Sequence, residues 1–274
     1  MYKNSDREKV AIVIITHKEG LKEHEKISLD FLEKNLMKYD KFLIIRKSHN
    51  KIDPRFKKLK FKVMRLDDKY FTSKGHDKLM KGVYFYNLFK DYEYILKHEL
   101  DCLVFKDQLD YFCSLGYDYI GAPSIRNQIK KIKNVNRIKI RNGGFSLRKV
   151  KSFINVAKKD EKSNRFWFMR FYLENFFWFT LFRIRGLITR KRTLDATFTF
   201  AEDIFWSIGA KKINPNFKVA SFYMALSFSF ENNIPLCLKM NNNNLPFGCH
   251  AFQCEKNLKE WKKIESIKYM LNNI

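Results

Sequence analysis

The residues in this chain whose types and spacing could do chemistry are two acidic pairs, a glycine pair and a late histidine. They are Glu99-Leu100-Asp101, Asn142-Gly143-Gly144-Phe145, Ala201-Glu202-Asp203, and His250 within Phe247-Gly248-Cys249-His250-Ala251-Phe252. A carboxylate pair that follows a hydrophobic strand can hold a divalent cation against a diphosphate, because hard cations such as Mg²⁺ and Mn²⁺ prefer oxygen ligands and keep room for water. Alternation puts Glu99 and Asp101 on the same side of an extended chain, so both could face one ligand. In a purely structural role they would need lysine or arginine mates, since an unpaired buried carboxylate is costly. A second acidic pair, Glu202-Asp203, could accept the proton of a hydroxyl; its other reading is a helix start, where acidic residues suit the positive end of the dipole. His250 can complete a metal site, because imidazole is accepted by Mn²⁺ beside carboxylates.

Positioning such residues takes strands with ordered ends. Val10-Ala11-Ile12-Val13-Ile14-Ile15 is a continuous apolar run of the kind found in strands buried on both faces. Thr16-His17-Lys18 leaves its carboxyl end, where ligands gather in open α/β sheets, so Thr16 and His17 are candidate nucleotide contacts or else solvated loop residues. Phe42 to Ile45 and Phe61 to Leu66 read as the next strands, with a helix from Ser28 to Met37 between, and the alternation implies a largely parallel sheet. Ser73 is placed to cap a helix to about Phe89, with Lys74, His76 and Lys78 in its first turns. Basic helix starts suit phosphate, and Lys78 is a candidate contact; the alternative is a solvated face. Tyr92 to Leu96 delivers Glu99 and Asp101 at a strand end. Gly121-Ala122-Pro123 ends a strand, and Ser124 to Arg141 reads as a basic loop. Gly143 and Gly144 permit close approach of a sugar to the main chain, or simply make a turn before the strand Phe145-Ser146-Leu147. Trp206, one turn beyond Asp203, could form an apolar floor for an acceptor sugar. Leu258 to Met270 reads as a basic terminal helix.

At 274 residues, 45% hydrophobic and 16% aromatic, the chain can bury a substantial core and is not of disordered composition. No run reaches the length of a membrane span and no signal-peptide hydrophobic region follows the first residues, which points to a cytoplasmic protein. Five cysteines without CxxC spacing read as free thiols. The formal charge of +25 fits either an AT-rich genome or a surface that concentrates anionic partners: nucleotide diphosphate, anionic lipid or nucleic acid. Residues 160–192 form an aromatic and basic insertion. Rings such as Trp167, Phe171, Trp178 and Phe182 mixed with arginines suit the inner face of a membrane, with packing as a helical hairpin on the domain or a second subunit, or nucleic-acid binding, as the alternatives.

The order of these segments resembles the GT-A-fold glycosyltransferases, in which a DxD-type motif, a glycine-rich loop, an xED motif and a C-terminal histidine follow one another. More closely it is similar to a bacterial branch of that fold known only as a domain of unknown function, on Tyr94 to Leu96, Leu100-Asp101, Gly116 to Pro123, Asn142 to Arg148, Glu202 to Trp206 and Leu245 to His250. The first DxD position holds Glu99, a departure that leaves Asp101 the firmer metal and nucleotide contact. The resemblance implies one GT-A-like domain over 1–274, mixed α/β with a mostly parallel sheet flanked by helices and the helical insertion at 160–192. It implies an inverting, metal-dependent transferase that uses Mn²⁺ or Mg²⁺ and a nucleotide-sugar donor, a UDP-sugar foremost. The acceptor would be a hydroxyl of a glycan or glycolipid of the cell envelope, as in lipopolysaccharide or capsule synthesis. Asp101 and His250 would hold the metal, with Glu99, Gly143 and Gly144 at the donor. Asp203 would be the base, with Glu202 as its alternative or as a holder of the acceptor. A metal-dependent phosphodiesterase would also use clustered carboxylates but needs several ligands converging within about 4 Å. A basic nucleic-acid-binding protein would explain the charge, yet no recognised binding motif is present, and no nucleic acid is expected.

Overall fold

The computed structural model describes residues 10–125, 140–162 and 201–271. Nine strands are named among them: β1 (Val10–Ile15), β2 (Asp40–Arg46), β3 (Lys62–Leu66), β4 (Tyr94–His98), β5 (Leu103–Val104), β6 (Tyr119–Ile120), β7 (Phe145–Lys149), β8 (Ser229–Phe230) and β9 (Gly248–Cys249). The large sheet has the order β3-β2-β1-β4-β7-β6. β1 to β4 run parallel and β7 lies antiparallel to both β4 and β6. The fold is therefore the expected mixed, mostly parallel α/β sheet flanked by helices. The apolar run of β1 sits at its centre between β2 and β4, with Ala11 to Ile14 fully buried.

The helix Glu23–Leu36 covers β1 with Leu29, Leu32 and Leu36. It starts earlier than the expected Ser28 because Glu25 closes its first turn, accepting from the Lys22 amide at 2.8 Å. Its far face reaches the segment after Asp101: Ser28 Oγ donates to the Cys102 carbonyl at 2.6 Å and Asn35 Nδ2 to the Val104 carbonyl at 2.8 Å. That segment enters the second sheet, of order β5-β9-β8, over a smaller core that includes Leu103, Phe230, Cys249 and Trp261.

The long helix expected from Ser73 to Phe89 is two helices, Ser73–Lys81 and Val83–Asn87. Gly82 adopts an extended ψ of 150° and breaks the run. Its cap is Thr72, whose Oγ1 accepts from the Gly75 amide at 3.0 Å. The helical segment from Glu202 to Ile213 contains a π-helical turn at Phe205–Gly209. The expected terminal helix is likewise split, into Glu255–Trp261 and Glu265–Lys268. Cys102, Cys113, Cys237, Cys249 and Cys254 are free thiols, as expected. No helix among the described residues is long and apolar enough to cross a membrane. Of the insertion 160–192, only 160–162 fall within the described residues, ending the helix Val150–Lys162. Residues 163–192 lie outside the described residues, as do 126–139 of the basic loop.

Candidate active site

Both sheets deliver acidic residues and His250 to one place. In the parallel pair β1 and β4, Val13 lies opposite Lys97, so Thr16 and the Glu99-Leu100-Asp101 turn leave the sheet as neighbours. β7 runs antiparallel beside β4 with His98 opposite Phe145, which sets Glu99 against Gly144; the Glu99 amide donates to the Gly144 carbonyl at 2.9 Å. β5 and β9 are antiparallel with Leu103 opposite Cys249, so Asp101 and His250 meet just beyond the paired residues. The sheet registers therefore converge Glu99, Asp101 and His250, although the last is about 150 residues away in sequence.

His250 Nε2 lies 3.4 Å from Glu99 Oε2 and 3.3 Å from Asp101 Oδ1, while Nδ1 lies 3.5 Å from Glu231 Oε1. Neither ring nitrogen makes a hydrogen bond of good geometry, and both are buried. An orphaned imidazole nitrogen aimed between two carboxylates is the donor set a divalent cation takes. Cys102 also lies within reach of Asp101 and His250. Burial, with Asp101 close by, pushes its thiol well above the usual range, and its Sγ faces the Gly144 carbonyl at 3.6 Å. A hard cation would therefore draw on Glu99, Asp101 and His250 rather than on this thiol. Burial works against charge on His250, but the three carboxylates outweigh it and hold its pKa well above the usual value. Lys97 beside Glu99 holds that carboxyl well below its usual range despite burial. Asp101 is also lowered: burial opposes ionisation, and His250 and Gln253 overcome it. Gln253 Nε2 donates to Asp101 Oδ2 at 3.2 Å.

An open cleft of about 450 Å³ lies against Glu99 and Asp101, lined also by Thr16, His17, Lys18, His24, Phe71, Thr72, Ser73 and His76. Thr16 and His17 are both at this cleft. Lys78 is not: on the helix Ser73–Lys81 it turns to a separate cleft with Tyr70 and Tyr84, whereas His76 faces the acidic turn. The helical period separates the two sides.

The glycine pair forms the turn before Phe145 and lies tightly against neighbouring side chains. A Cβ on Gly143 would overlap Glu202 Oε1, and one on Gly144 would overlap His250 Nε2 and come within 2.9 Å of Glu99 Oε2. The close approach seen at both glycines is made by the protein's own side chains. Asn142 Oδ1 fixes the turn, accepting from the Gly144 amide at 2.8 Å and the Phe145 amide at 3.0 Å. Behind it, Arg148 donates to Glu202 Oε1 at 2.7 Å, to the Gly143 carbonyl at 3.1 Å and to Tyr86 Oη at 2.9 Å. Lys97, also buried, donates to Glu99 Oε1 at 2.7 Å and stands 3.9 Å from Glu202. Burial opposes the Glu202 charge, but Arg148 and Lys97 prevail and its pKa is lowered. Asp203 is the opposite case: burial and the neighbouring Glu202 charge raise it.

Trp206 is not an acceptor floor. It has no exposed surface, packs on Phe153 with ring centroids 4.0 Å apart, and donates from Nε1 to the Met80 carbonyl at 2.9 Å. The helical turn that carries it points into the core. Lys97, Glu231 and Gln253 were missed in the sequence. Lys97 had one visible signal, a lone cation inside the apolar strand Tyr94–His98.

The chain is thus a mixed α/β protein with a carboxylate and histidine cluster at the carboxyl ends of its parallel strands. Residues 60–250 match the family described as a protein of unknown function, DUF5672, and the chain belongs to that family. No curated protein matches the sequence. Among solved structures it is similar to the galactosyltransferase LgtC in complex with donor and acceptor sugar analogues, at 12% identity and a TM-score of 0.49 over 96% of each chain. It is similar also to the apo form of the glycosyltransferase GlyE of Streptococcus pneumoniae, at 11% identity and a TM-score of 0.46 over 97% of this chain and 62% of that one. A third is core-mannan synthase A of Aspergillus fumigatus in its Mn/GDP form, at 14% identity and a TM-score of 0.38 over 55% of this chain and 62% of that one. None of these likenesses assigns a residue.

Proposed function

We propose that this protein is a metal-dependent glycosyltransferase that moves a sugar from a nucleotide diphosphate donor, a UDP-sugar foremost, to a hydroxyl of a cell-envelope glycan or glycolipid. The observation that carries the reading is the convergence of Glu99, Asp101 and the orphaned His250 Nε2 at a cleft outside the ends of β1 and β4. Those three side chains would hold Mn²⁺ or Mg²⁺, which when bound neutralises the charge of a departing diphosphate. Thr16, His17 and His76 line the donor cleft. Asp203, with its raised pKa, is assigned the proton of the attacking hydroxyl, a contribution typically of about 10²- to 10⁴-fold. Glu202 is assigned the support of that site, because its charge is committed to Arg148. A single displacement with inversion follows from having a base and no assigned nucleophile. A phosphodiesterase is less well supported: among the described residues the groups that could hold a metal ion converge on one place, around Asp101 and His250, and two-metal chemistry needs a pair of sites. The proposed setting is the cytoplasmic side of the membrane, with the aromatic and basic residues of 163–192 on anionic lipid.

The test is a thermal-shift screen of nucleoside diphosphates and nucleotide sugars with and without Mn²⁺. The expected result is a rise in midpoint for one nucleotide that depends on the metal. Asp101→Asn, which keeps size and removes the charge, should abolish that rise while leaving the unliganded midpoint in place. No metal-dependent rise with any nucleotide would sink the reading.

A further inference from the structure

We infer that Glu231 is a positioning residue for the divalent-cation site, acting through His250; the inference rests on the metal-dependent reading above. The backbone brings the two residues together. β8 and β9 are parallel with Phe230 opposite Cys249, so Glu231 and His250 leave the sheet at equivalent positions, and the His250 amide donates to the Phe230 carbonyl at 2.9 Å. Asn257, nearly buried, ties both exits: its Nδ2 donates to the Glu231 carbonyl at 2.7 Å and to the Ala251 carbonyl at 2.9 Å. Ala251 turns the chain sharply with φ of 54°, a left-handed conformation costly for a residue with a Cβ. The strained exit and its clamp hold the imidazole edge-on between two sets of carboxylates.

The two ring nitrogens are not equivalent. Nε2 faces Asp101 and Glu99, and Nδ1 faces Glu231 Oε1 at 3.5 Å, about 0.3 Å beyond the usual limit for an N–H···O bond. A histidine that ligates through one nitrogen ordinarily donates its other N–H to a carboxylate, which fixes the tautomer and the ring plane and makes the ligating nitrogen more basic. Glu231 is placed for that partnership, and among the described residues its carboxylate has no other ion pair. With a proton kept on Nδ1, the lone pair of Nε2 is directed at the space between Asp101 and Glu99.

The experiment measures Mn²⁺ affinity by titration calorimetry on the full chain, with no substrate present. Glu231→Ala is expected to weaken binding by about 10- to 100-fold. Glu231→Gln, which keeps an acceptor for Nδ1–H without the charge, should fall between it and the wild type. In a His250→Ala background, removing Glu231 as well should cost nothing further, since the effect passes through the ring. Unchanged affinity in Glu231→Ala, or additive losses in the double variant, overturns the inference while leaving the metal site standing. No Mn²⁺ binding by the wild type overturns both. Should the alanine variant fail to fold, Glu231→Gln decides: a loss of several-fold supports the inference and wild-type affinity overturns it.

Discussion

Arg148 donates to Glu202 Oε1 across 2.7 Å in a place where Arg148 has no exposed surface. Three more of the five guanidinium hydrogens go to Ser146, Tyr86 and Gly143. Arg148 and Lys97 together hold the Glu202 carboxyl ionised, although its Oε2 has no hydrogen-bond partner. Its fixed negative charge acts on the next residue, Asp203, and together with burial raises that carboxyl. Two adjacent acids are thus driven apart in pKa, the arrangement by which acid and base roles are usually divided.

Glu202 and Asp203 should therefore fail in different ways when neutralised. Glu202→Gln strands a buried guanidinium and should destabilise the fold by about 3 kcal/mol or more. Asp203→Asn should leave the unfolding midpoint near that of the wild type while lowering glycosyl transfer at least about a hundredfold, with donor affinity retained. Denaturation curves beside turnover measurements separate the two. Near-normal turnover in Asp203→Asn would move the base elsewhere.

Gly143 and Gly144 should be equally separable. Alanine at 144 would intrude on His250 Nε2 and Glu99, so Gly144→Ala should weaken Mn²⁺-dependent nucleotide binding about tenfold or more with little loss of stability. Alanine at 143 would press on the Glu202 carboxylate, so Gly143→Ala should cost stability, about 1–3 kcal/mol as for other overpacked sites. Equal effects of both variants on both measurements would contradict the two contacts.

The contrast between these glycines also marks how far the sequence could be read. Apolar runs such as Val10 to Ile15 announce central strands, and Glu99, Asp101 and His250 stand out as acid and imidazole beside such runs. Their convergence depends on strand pairing between residues far apart in sequence, and two-residue strands such as Leu103–Val104 and Gly248–Cys249 carry no period of their own. Trp206 was misread for a related reason: a tryptophan one helical turn from an acid can face either solvent or core, and only the packing of Phe153 and Met80 decides. Gly82 was legible as a weak point of its helix, but a lone glycine does not by itself end one.

Acid should destabilise the fold through its buried histidines. His98 is fully buried, packs edge-on to Phe145 and has neither ring nitrogen hydrogen-bonded, and burial lowers its pKa from 6.5 to about 4. His76, half-buried at the cleft and lowered to about 4 chiefly by burial and then by Lys97, adds to the same loss. Because the folded pKa lies below the unfolded one, the stability these rings contribute is complete above about pH 6.5 and drains away as pH falls towards about 4. His98→Phe keeps an aromatic ring against Phe145 and removes the titration. Chemical denaturation at a series of pH values should show a shallower acid loss for this variant. Parallel curves for the two proteins would show that His98 does not titrate in this window.

The aromatic and basic segment beyond Lys162 gives the last test, one that depends on its composition alone. Trp167, Phe171, Trp178 and Phe182 alternate with Arg165, Arg170 and Arg183, so rings could sit at the headgroup level while guanidinium groups meet anionic lipid. Purified protein should co-sediment with vesicles containing anionic lipid. Binding should fall as salt rises, since screening at physiological ionic strength acts over about 8 Å. Trp167→Ser with Trp178→Ser should weaken sedimentation yet leave turnover on a soluble acceptor fragment intact. If the wild type shows no vesicle binding at low salt, or the double variant unfolds, these rings serve as core or as a contact between subunits.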